Sequence, residues 1–134
     1  MLFRSLLVTE VAGPARLLVN VAPRRGRWLL VRAVDPARGG RDAIGAEVLV
    51  EAGGRKRIGF VLPSKSYLSG CDPRVHFGLG AADRVDSIEV RWPHGGEEVF
   101  PGGSADRLVT LRKGEGRPVP QAPAPSPASG GERP

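Results

Sequence analysis

Cys71, Asp72 and His76 are the residues of this chain whose types and closeness could support catalysis. A cysteine thiolate beside an imidazole can act as a nucleophile, provided that the two side chains lie within hydrogen-bonding reach. The spacing argues against that arrangement, because Pro73 turns the chain between them and an extended segment points His76 away from the face of Val75. We expect a non-catalytic protein with His76 hydrogen-bonded at a sheet edge; the alternative is an uncharacterised activity around His76.

Two other patterns could hold a ligand, but each lacks an element that its chemistry needs. The run Phe77-Gly-Leu-Gly80 offers two glycines of a dinucleotide-binding loop, and Asp83 stands where the third is required. We interpret this run as a structural turn whose two apolar side chains fill the core. Asp72, Asp83 and Asp86 lack the alternating oxygen ligands of a calcium loop, and Cys71 is the single cysteine, so we predict no metal and no cofactor.

The polar segment from Ser64 to Asp72 is the best candidate for a binding surface. It is a loop with one aromatic residue between predicted strands, and binding residues concentrate on loops held by a rigid scaffold. The alternative is that Tyr67 and Leu68 pack beneath the loop and have only a structural role. The predicted binding residues are Ser66, Tyr67, Ser69, Asp72 and His76.

Strands that alternate apolar and polar residues must position these loops. In Ala46–Ala52 the even-numbered residues are apolar, and Glu47 and Glu51 fall on the other face, which is the period of a half-buried strand. The run Trp28–Val34 is apolar on both faces apart from Arg32, so we predict a central strand covered on both sides. Further strands are predicted at Arg16–Val21, Arg55–Leu62, Ser87–Trp92, Glu97–Phe100 and Leu108–Arg112.

Turn residues separate these strands at short intervals. Glycine and proline recur at residues 36–40, 53–54, 78–80, 93–96 and 101–104, and no window sustains an apolar stripe at helical spacing. The pattern predicts an all-β fold, an antiparallel β-sandwich or barrel-like domain with short strands and minor helix. We expect a lead-in at residues 1–24, one β domain at residues 25–116 and a disordered tail rich in proline, alanine and serine at residues 117–134.

Charge and hydropathy limit the classes of partner. The net charge is +6, but basic residues are spread along the chain and interleaved with acidic ones, which favours a solvated basic surface over a nucleic-acid site. Polyanion binding would need one contiguous basic patch, for which the candidates are Arg24, Arg25, Arg27, Arg55, Lys56 and Arg57. No apolar run approaches the ~20 residues that span a bilayer, and the start of the chain lacks a secretory signal pattern, so we predict a soluble chain without a membrane span.

Four segments in order give the chain a family resemblance: Asp42-Ala-Ile-Gly-Ala46, Ser66-Tyr-Leu-Ser69, Arg74-Val-His-Phe-Gly-Leu-Gly80 and Val90-Arg-Trp-Pro-His-Gly95. Together they resemble the ASPIC/UnbV domain over residues 28–114, a family named after cartilage acidic protein and a protein of bacterial enediyne gene clusters. Within and beside these segments we expect a structural role for Ile44, Gly45, Phe77, Gly78, Leu79, Gly80, Trp92 and Pro93.

The resemblance also implies a setting and a type of function. In that family the domain usually follows an integrin-like β-propeller of FG-GAP (VCBS) repeats, whose Asp-x-Asp-x-Asp-Gly loops bind calcium. No such loop occurs here, so calcium is expected only in propeller repeats that this sequence lacks, and Gly13–Asn20 is similar to the end of a last repeat, a remnant strand. Gly40-Arg41-Asp42 departs from the Asn-Arg that precedes Ala-Ile-Gly-Ala in many relatives.

The function that follows from the resemblance is a non-catalytic interaction module, placed outside the cell or in the cell envelope. Its expected partner is an FG-GAP propeller, another extracellular protein or a glycan. The alternative is a small basic domain that binds nucleic acid or another polyanion.

Overall fold

The regular structure of the chain is almost entirely β. A computed structural model describes residues 5–21, 23 and 26–120, and within these residues it contains eleven strands and one turn of 3₁₀ helix at Pro36–Arg38. The strands are β1 (Leu6–Val8), β2 (Arg16–Leu18), β3 (Arg27–Asp35), β4 (Arg41–Asp42), β5 (Glu47–Ala52), β6 (Arg55–Phe60), β7 (Val75–Gly80), β8 (Arg84–Arg91), β9 (Glu97–Ser104), β10 (Arg107–Arg112) and β11 (Arg117–Pro118). The all-β prediction with minor helix is confirmed.

Three sheets organise these strands. Strands β1 and β2 form an antiparallel hairpin. In the second sheet β3 pairs with β10 along one edge and with β7 and β4 along the other. The third sheet is antiparallel and has the order β11-β9-β8-β5-β6. The second and third sheets enclose one apolar core in the manner of a sandwich.

Alternate side chains of the two larger sheets build the core. The second sheet contributes Leu29, Val31, Ala33, Val75, Phe77, Leu79 and Leu111, and the third contributes Val48, Val50, Ala52, Ile88, Val90 and Phe100. The two-residue period that predicted the strands is the period at which these side chains are buried. Each fully buried aliphatic side chain contributes about 1.5–3 kcal/mol, so the core is the main source of stability.

Strand β3 is the central strand that the sequence predicts, although one of its pairings is different. Leu30 and Val34 are buried on its outer face, and in register Leu30 lies between His76 and Leu108. The pairing of β3 with β10 is parallel, which departs from the antiparallel expectation. A parallel pair needs a long crossover, and here the whole third sheet lies in sequence between the two strands.

Two glycine-rich runs predicted as turns lie inside strands. Gly78–Gly80 belongs to β7 and residues 101–104 belong to β9. At Gly102 the reason is a close backbone approach, because a Cβ atom there would lie 1.9 Å from the carbonyl oxygen of Val85. Glycine in these strands lies either where no side chain covers the sheet or where another backbone approaches closely. The sequence alone does not distinguish these two cases from a turn.

The outer strand β6 turns its bulky side chains to solvent. Ile58, Phe60 and Leu62 share one side as predicted, and that side is exposed. The inward positions hold Val61, which is buried, and Gly59, where a Cβ atom would lie 2.3 Å from Val75 Cγ1. Because the facing strand fills that space, the core side of β6 needs glycine and the larger residues lie outside.

The end of the domain extends beyond the predicted boundary. The tail is predicted to begin at residue 117, but Arg117 and Pro118 pair with Val99 and Glu98 as strand β11. Glu98 is buried and accepts hydrogen bonds from the backbone N–H groups of Gly114 and Gly116, which ties this turn to the sheet. Residues 121–134, the rest of the predicted tail, lie outside the described residues.

Candidate binding surface

The predicted binding loop has a fixed internal geometry and an exposed tip. The hydroxyls of Ser64 and Ser69 both donate to the carbonyl oxygen of Ser66, at 2.7 and 3.0 Å. Tyr67 and Leu68 form the tip and are each 89% exposed, so they do not pack beneath the loop. The prediction that these two side chains pack beneath the loop is therefore wrong, and an aromatic and an aliphatic side chain are presented to solvent.

Asp72, at the end of this loop, is held by a nearby arginine. Arg74 forms a bidentate ion pair with this carboxylate, with Nε at 2.9 Å and Nη2 at 2.5 Å from its oxygens. A cavity of about 300 Å³ lies beside the pair and is bordered by a second ion pair, in which Arg32 Nε donates to Asp42 Oδ1 at 2.7 Å. The charges around this cavity neutralise one another, so it offers no unbalanced charge to a ligand.

His76 and Cys71 have different neighbours. His76 lies on the outer face of β7 and stacks on Trp28, with ring centroids 6.4 Å apart and planes inclined by 13°. The thiol of Cys71 faces the carbonyl oxygen of Leu62 at 3.9 Å. Phe77, which follows His76, is buried, as the alternation of an extended segment predicts. The structure places His76 in an aromatic stack on an open sheet face.

The predicted structural residues divide between the core and the surface. Phe77, Leu79 and Trp92 are buried, whereas Ile44 and Pro93 are exposed. Positive φ angles occur at Gly45 and Gly80, and a Cβ atom at Gly78 would meet no neighbour within 4 Å. The glycines of β7 therefore leave bare backbone on the outer face.

The hairpin of β1 and β2 is an exposed apolar surface that the binding-residue prediction did not include. Leu6, Leu7, Leu17 and Leu18 are between 54% and 66% exposed. In register Leu7 lies opposite Leu17 and Leu6 opposite Leu18, so the two pairs point to opposite faces of the hairpin. The hairpin thus shows apolar side chains on both faces, a signal that was already present in the leucine-rich sequence of the lead-in.

The predicted basic patch is broken up by partners where the structure describes it. Arg27 Nη1 lies 2.6 Å from Asp106, and Arg57 donates to the backbone carbonyls of Ala52 and Arg55. Arg24 and Arg25 lie outside the described residues. These contacts neutralise or occupy part of the charge that a polyanion would need.

An ion cluster centred on Arg91 lies on the outer face of the third sheet. Arg91 lies within 3.3–3.6 Å of Glu47, Glu89 and Glu97. A hydrogen bond to Glu97, followed by burial, raises the pKa of Glu89, and the same hydrogen bond lowers the pKa of Glu97. Glu89 therefore takes up a proton more readily than Glu97, and the two neighbouring carboxyl groups do not titrate independently.

Glu89→Gln tests this cluster. Because folding raises the pKa of Glu89, its contribution to stability is present at acidic pH and is lost as the pH rises through the raised pKa. A glutamine keeps a donor for Glu97 at every pH. We expect the variant to unfold at a higher temperature than the wild type at pH 7 and at the same temperature at pH 3, measured by circular dichroism. A lower midpoint at pH 7 would contradict the raised pKa of Glu89.

The described residues contain neither a cluster of metal-binding side chains nor a helix that could span a membrane. Across residues 5–21, 23 and 26–120, no three His, Cys, Asp or Glu side chains converge as metal ligands. None of the helical structure in the same residues is long and apolar enough to cross a membrane.

Comparison with known proteins decides the family. The model of the family described as ASPIC and UnbV matches residues 35–118, which is more than half of the chain. The chain belongs to the ASPIC and UnbV family. A search of curated proteins finds no match to it.

The folded ASPIC/UnbV domain is larger than the matched region. The match begins at Asp35, the last residue of β3, although β3 supplies Leu29 and Val31 to the core. It ends at Pro118, in β11. The hairpin of β1 and β2 precedes the matched region, so the exposed leucines lie outside the part of the chain that the family model covers.

Proposed function

We propose that this ASPIC/UnbV domain is a non-catalytic interaction module that docks onto a partner protein through the hairpin of β1 and β2. The observation that carries the proposal is the exposure of leucine pairs on both faces of that hairpin, Leu7 with Leu17 and Leu6 with Leu18. Exposed apolar patches of this kind mark interaction sites, because water disfavours them on an isolated surface.

Contact with a partner would stabilise the hairpin of β1 and β2. Two strands alone are marginally stable in water, and they become stable when a third strand or a packed layer covers an apolar face. Burying a leucine side chain contributes about 1.5–3 kcal/mol, so covering Leu7 and Leu17 alone would stabilise a complex substantially. The free edges of β1 and β2 could also pair with a strand of the partner.

A β-propeller of FG-GAP repeats is the partner that fits this surface best. Propeller blades are small antiparallel sheets, and a hairpin can extend or cover the outer strand of such a sheet. The family resemblance supports the same partner and a setting outside the cell or in the cell envelope. The alternative partners are another extracellular protein and a glycan. Either would bind an exposed surface other than the hairpin, such as the loop that carries Tyr67.

The test is a binding measurement with a matched pair of variants. The full chain is titrated into an FG-GAP propeller protein from the same genome neighbourhood, by calorimetry. Leu7→Asp combined with Leu17→Asp places two charges on one face of the hairpin, and we expect at least ~10-fold weaker binding, which is ~1.4 kcal/mol. The control is Leu68→Asp, which makes the same leucine-to-aspartate change at the exposed tip of the Ser64–Asp72 loop. This variant should bind as tightly as the wild type.

Two outcomes would contradict the proposal. One is a wild-type chain that does not bind the propeller. The other is a hairpin variant that binds as tightly as the wild type. Because Leu7 and Leu17 lie outside the core of the sandwich, both variants should keep the wild-type circular dichroism spectrum.

A further inference from the structure

A second cavity, of about 400 Å³, lies where two distant segments of the chain meet. One wall is formed by the 3₁₀ turn, β4 and the turn that follows β4, and the other by the turn between β8 and β9. The lining residues are Asp35, Arg38, Arg41, Asp42, Ala43, Ile44, Pro93 and His94. Its volume lies in the range of pockets that take small molecules.

Backbone hydrogen bonds hold both walls of this cavity in place. Gly40 N–H donates to the carbonyl oxygen of Asp35 at 3.0 Å, and Ala43 N–H donates to that of Ala33 at 2.9 Å. On the opposite wall the backbone of Trp92 closes the turn through hydrogen bonds with Gly95 and Gly96. The cavity is therefore preformed, and a ligand would not need to order its walls.

The carboxylates of the cavity are engaged, but one of its guanidinium groups is not. Asp42 accepts from Arg32 at 2.7 Å, and Asp35 accepts from the backbone N–H of Ala37 at 3.0 Å. Arg38 reaches Asp35 only at 3.9 Å. Among the residues that the structure describes, Arg41 has no ion pair or side-chain hydrogen bond, so its charge is available.

An apolar wall lies beside this positive charge. Ile44 is 43% exposed, and Pro93 and His94 are also exposed on the other side of the cavity. Pro93 packs close to the turn that carries Ile44, since a Cβ atom at Gly45 would lie 3.5 Å from Pro93 Cβ. The cavity thus combines a guanidinium donor with an aliphatic surface.

We propose that this cavity binds a carboxylate that carries a branched aliphatic group. The carboxylate pairs with Arg41, whose planar guanidinium matches its two oxygens, and Arg38 adds a second positive charge. The aliphatic group packs on Ile44 and Pro93. The C-terminus of a peptide that ends in leucine and a free branched-chain acid share this chemistry.

Three probes distinguish the sources and the forces. N-acetyl-leucine represents the peptide terminus, 4-methylpentanoate the free acid, and N-acetyl-leucinamide is the matched neutral compound. Each is titrated into the full chain while the amide resonances of Ala43, Ile44 and His94 are followed by NMR. We expect at least one carboxylate to bind with a Kd of about 1 mM or tighter, while the amide binds at least ~10-fold more weakly. The tighter of the two carboxylates identifies the source.

Arg41→Gln and Arg84→Gln are the matched variants. Arg41→Gln removes the available charge and should weaken carboxylate binding at least ~10-fold, whereas Arg84→Gln changes an exposed arginine of β8 outside the cavity and should have no effect. Failure of both carboxylates to shift these resonances would overturn the proposal, as would equal binding of the neutral amide. If inorganic phosphate binds as tightly as the carboxylates, the proposed packing of an aliphatic group on Ile44 and Pro93 is contradicted.

Discussion

Replacing Trp92 with alanine should destabilise the domain by about 3–5 kcal/mol, the usual loss for a buried tryptophan in a well-packed core. Trp92 is 4% exposed and belongs to the apolar core, at the residue that follows β8. Its backbone also closes the β8–β9 turn, so the cavity left by the indole lies next to a turn that is held in place and cannot collapse freely. Guanidinium unfolding followed by far-ultraviolet circular dichroism measures the change.

The other tryptophan is the natural control for this experiment. Trp28 lies half-buried on the outer face of β3, where it stacks on His76. An aromatic pair of this kind contributes about 0.5–1.5 kcal/mol beyond the area that it buries, and Trp28 buries less area than Trp92, so Trp28→Ala should cost less than Trp92→Ala. Equal costs for the two variants would contradict the placement of Trp92 in the core.

Replacing Gly102 with alanine should cost about 3 kcal/mol or abolish soluble expression, although the change adds only one methyl group. The added Cβ atom would lie 1.9 Å from the carbonyl oxygen of Val85 and 2.6 Å from that of Asp86. Both neighbours are backbone atoms of β8, so relief of the clash would require the β8–β9 ladder to separate. The yield of soluble protein and its thermal midpoint are the measurements.

Gly78→Ala makes the same chemical change in another strand. A Cβ atom at Gly78 would meet nothing within 4 Å, and this glycine does not have a positive φ. Because alanine restricts the unfolded chain more than glycine does, this variant should be unchanged or more stable by up to about 1 kcal/mol. A destabilised Gly78→Ala variant, or a Gly102→Ala variant with the wild-type midpoint, would contradict the strand assignments.

The contrast between these two glycines shows how far the sequence predicts the fold. The two-residue period identified β5, β6 and β8, because in a half-buried strand the side chains themselves carry the signal, and a run apolar on both faces identified β3. A glycine has no side chain, and it is used both in turns and where two backbones approach closely. The sequence therefore predicts turns at residues 78–80 and 101–104. The structure shows that both runs lie in strands, where they pair with the neighbouring strands β3 and β8.

The candidate surfaces were predictable to a different degree. The Tyr67 loop could be located from its polarity and its place between strands, but residue spacing reveals neither the hydrogen bonds to Ser66 nor the exposure of the loop tip. The cavity around Arg41 brings together segments 50 residues apart in sequence, so its availability for an anion follows from tertiary contacts. The parallel pairing of β3 with β10 is likewise a property of the topology.

Amide hydrogen exchange of the full chain, with and without the FG-GAP propeller protein, tests the central claim most directly. If the hairpin of β1 and β2 is the docking element, the amides of residues 5–21 should exchange fast in the free chain and become protected in the complex, while the core strands keep their protection. Unchanged exchange in residues 5–21 on binding, with new protection confined to the Ser64–Asp72 loop or to another face, would contradict it.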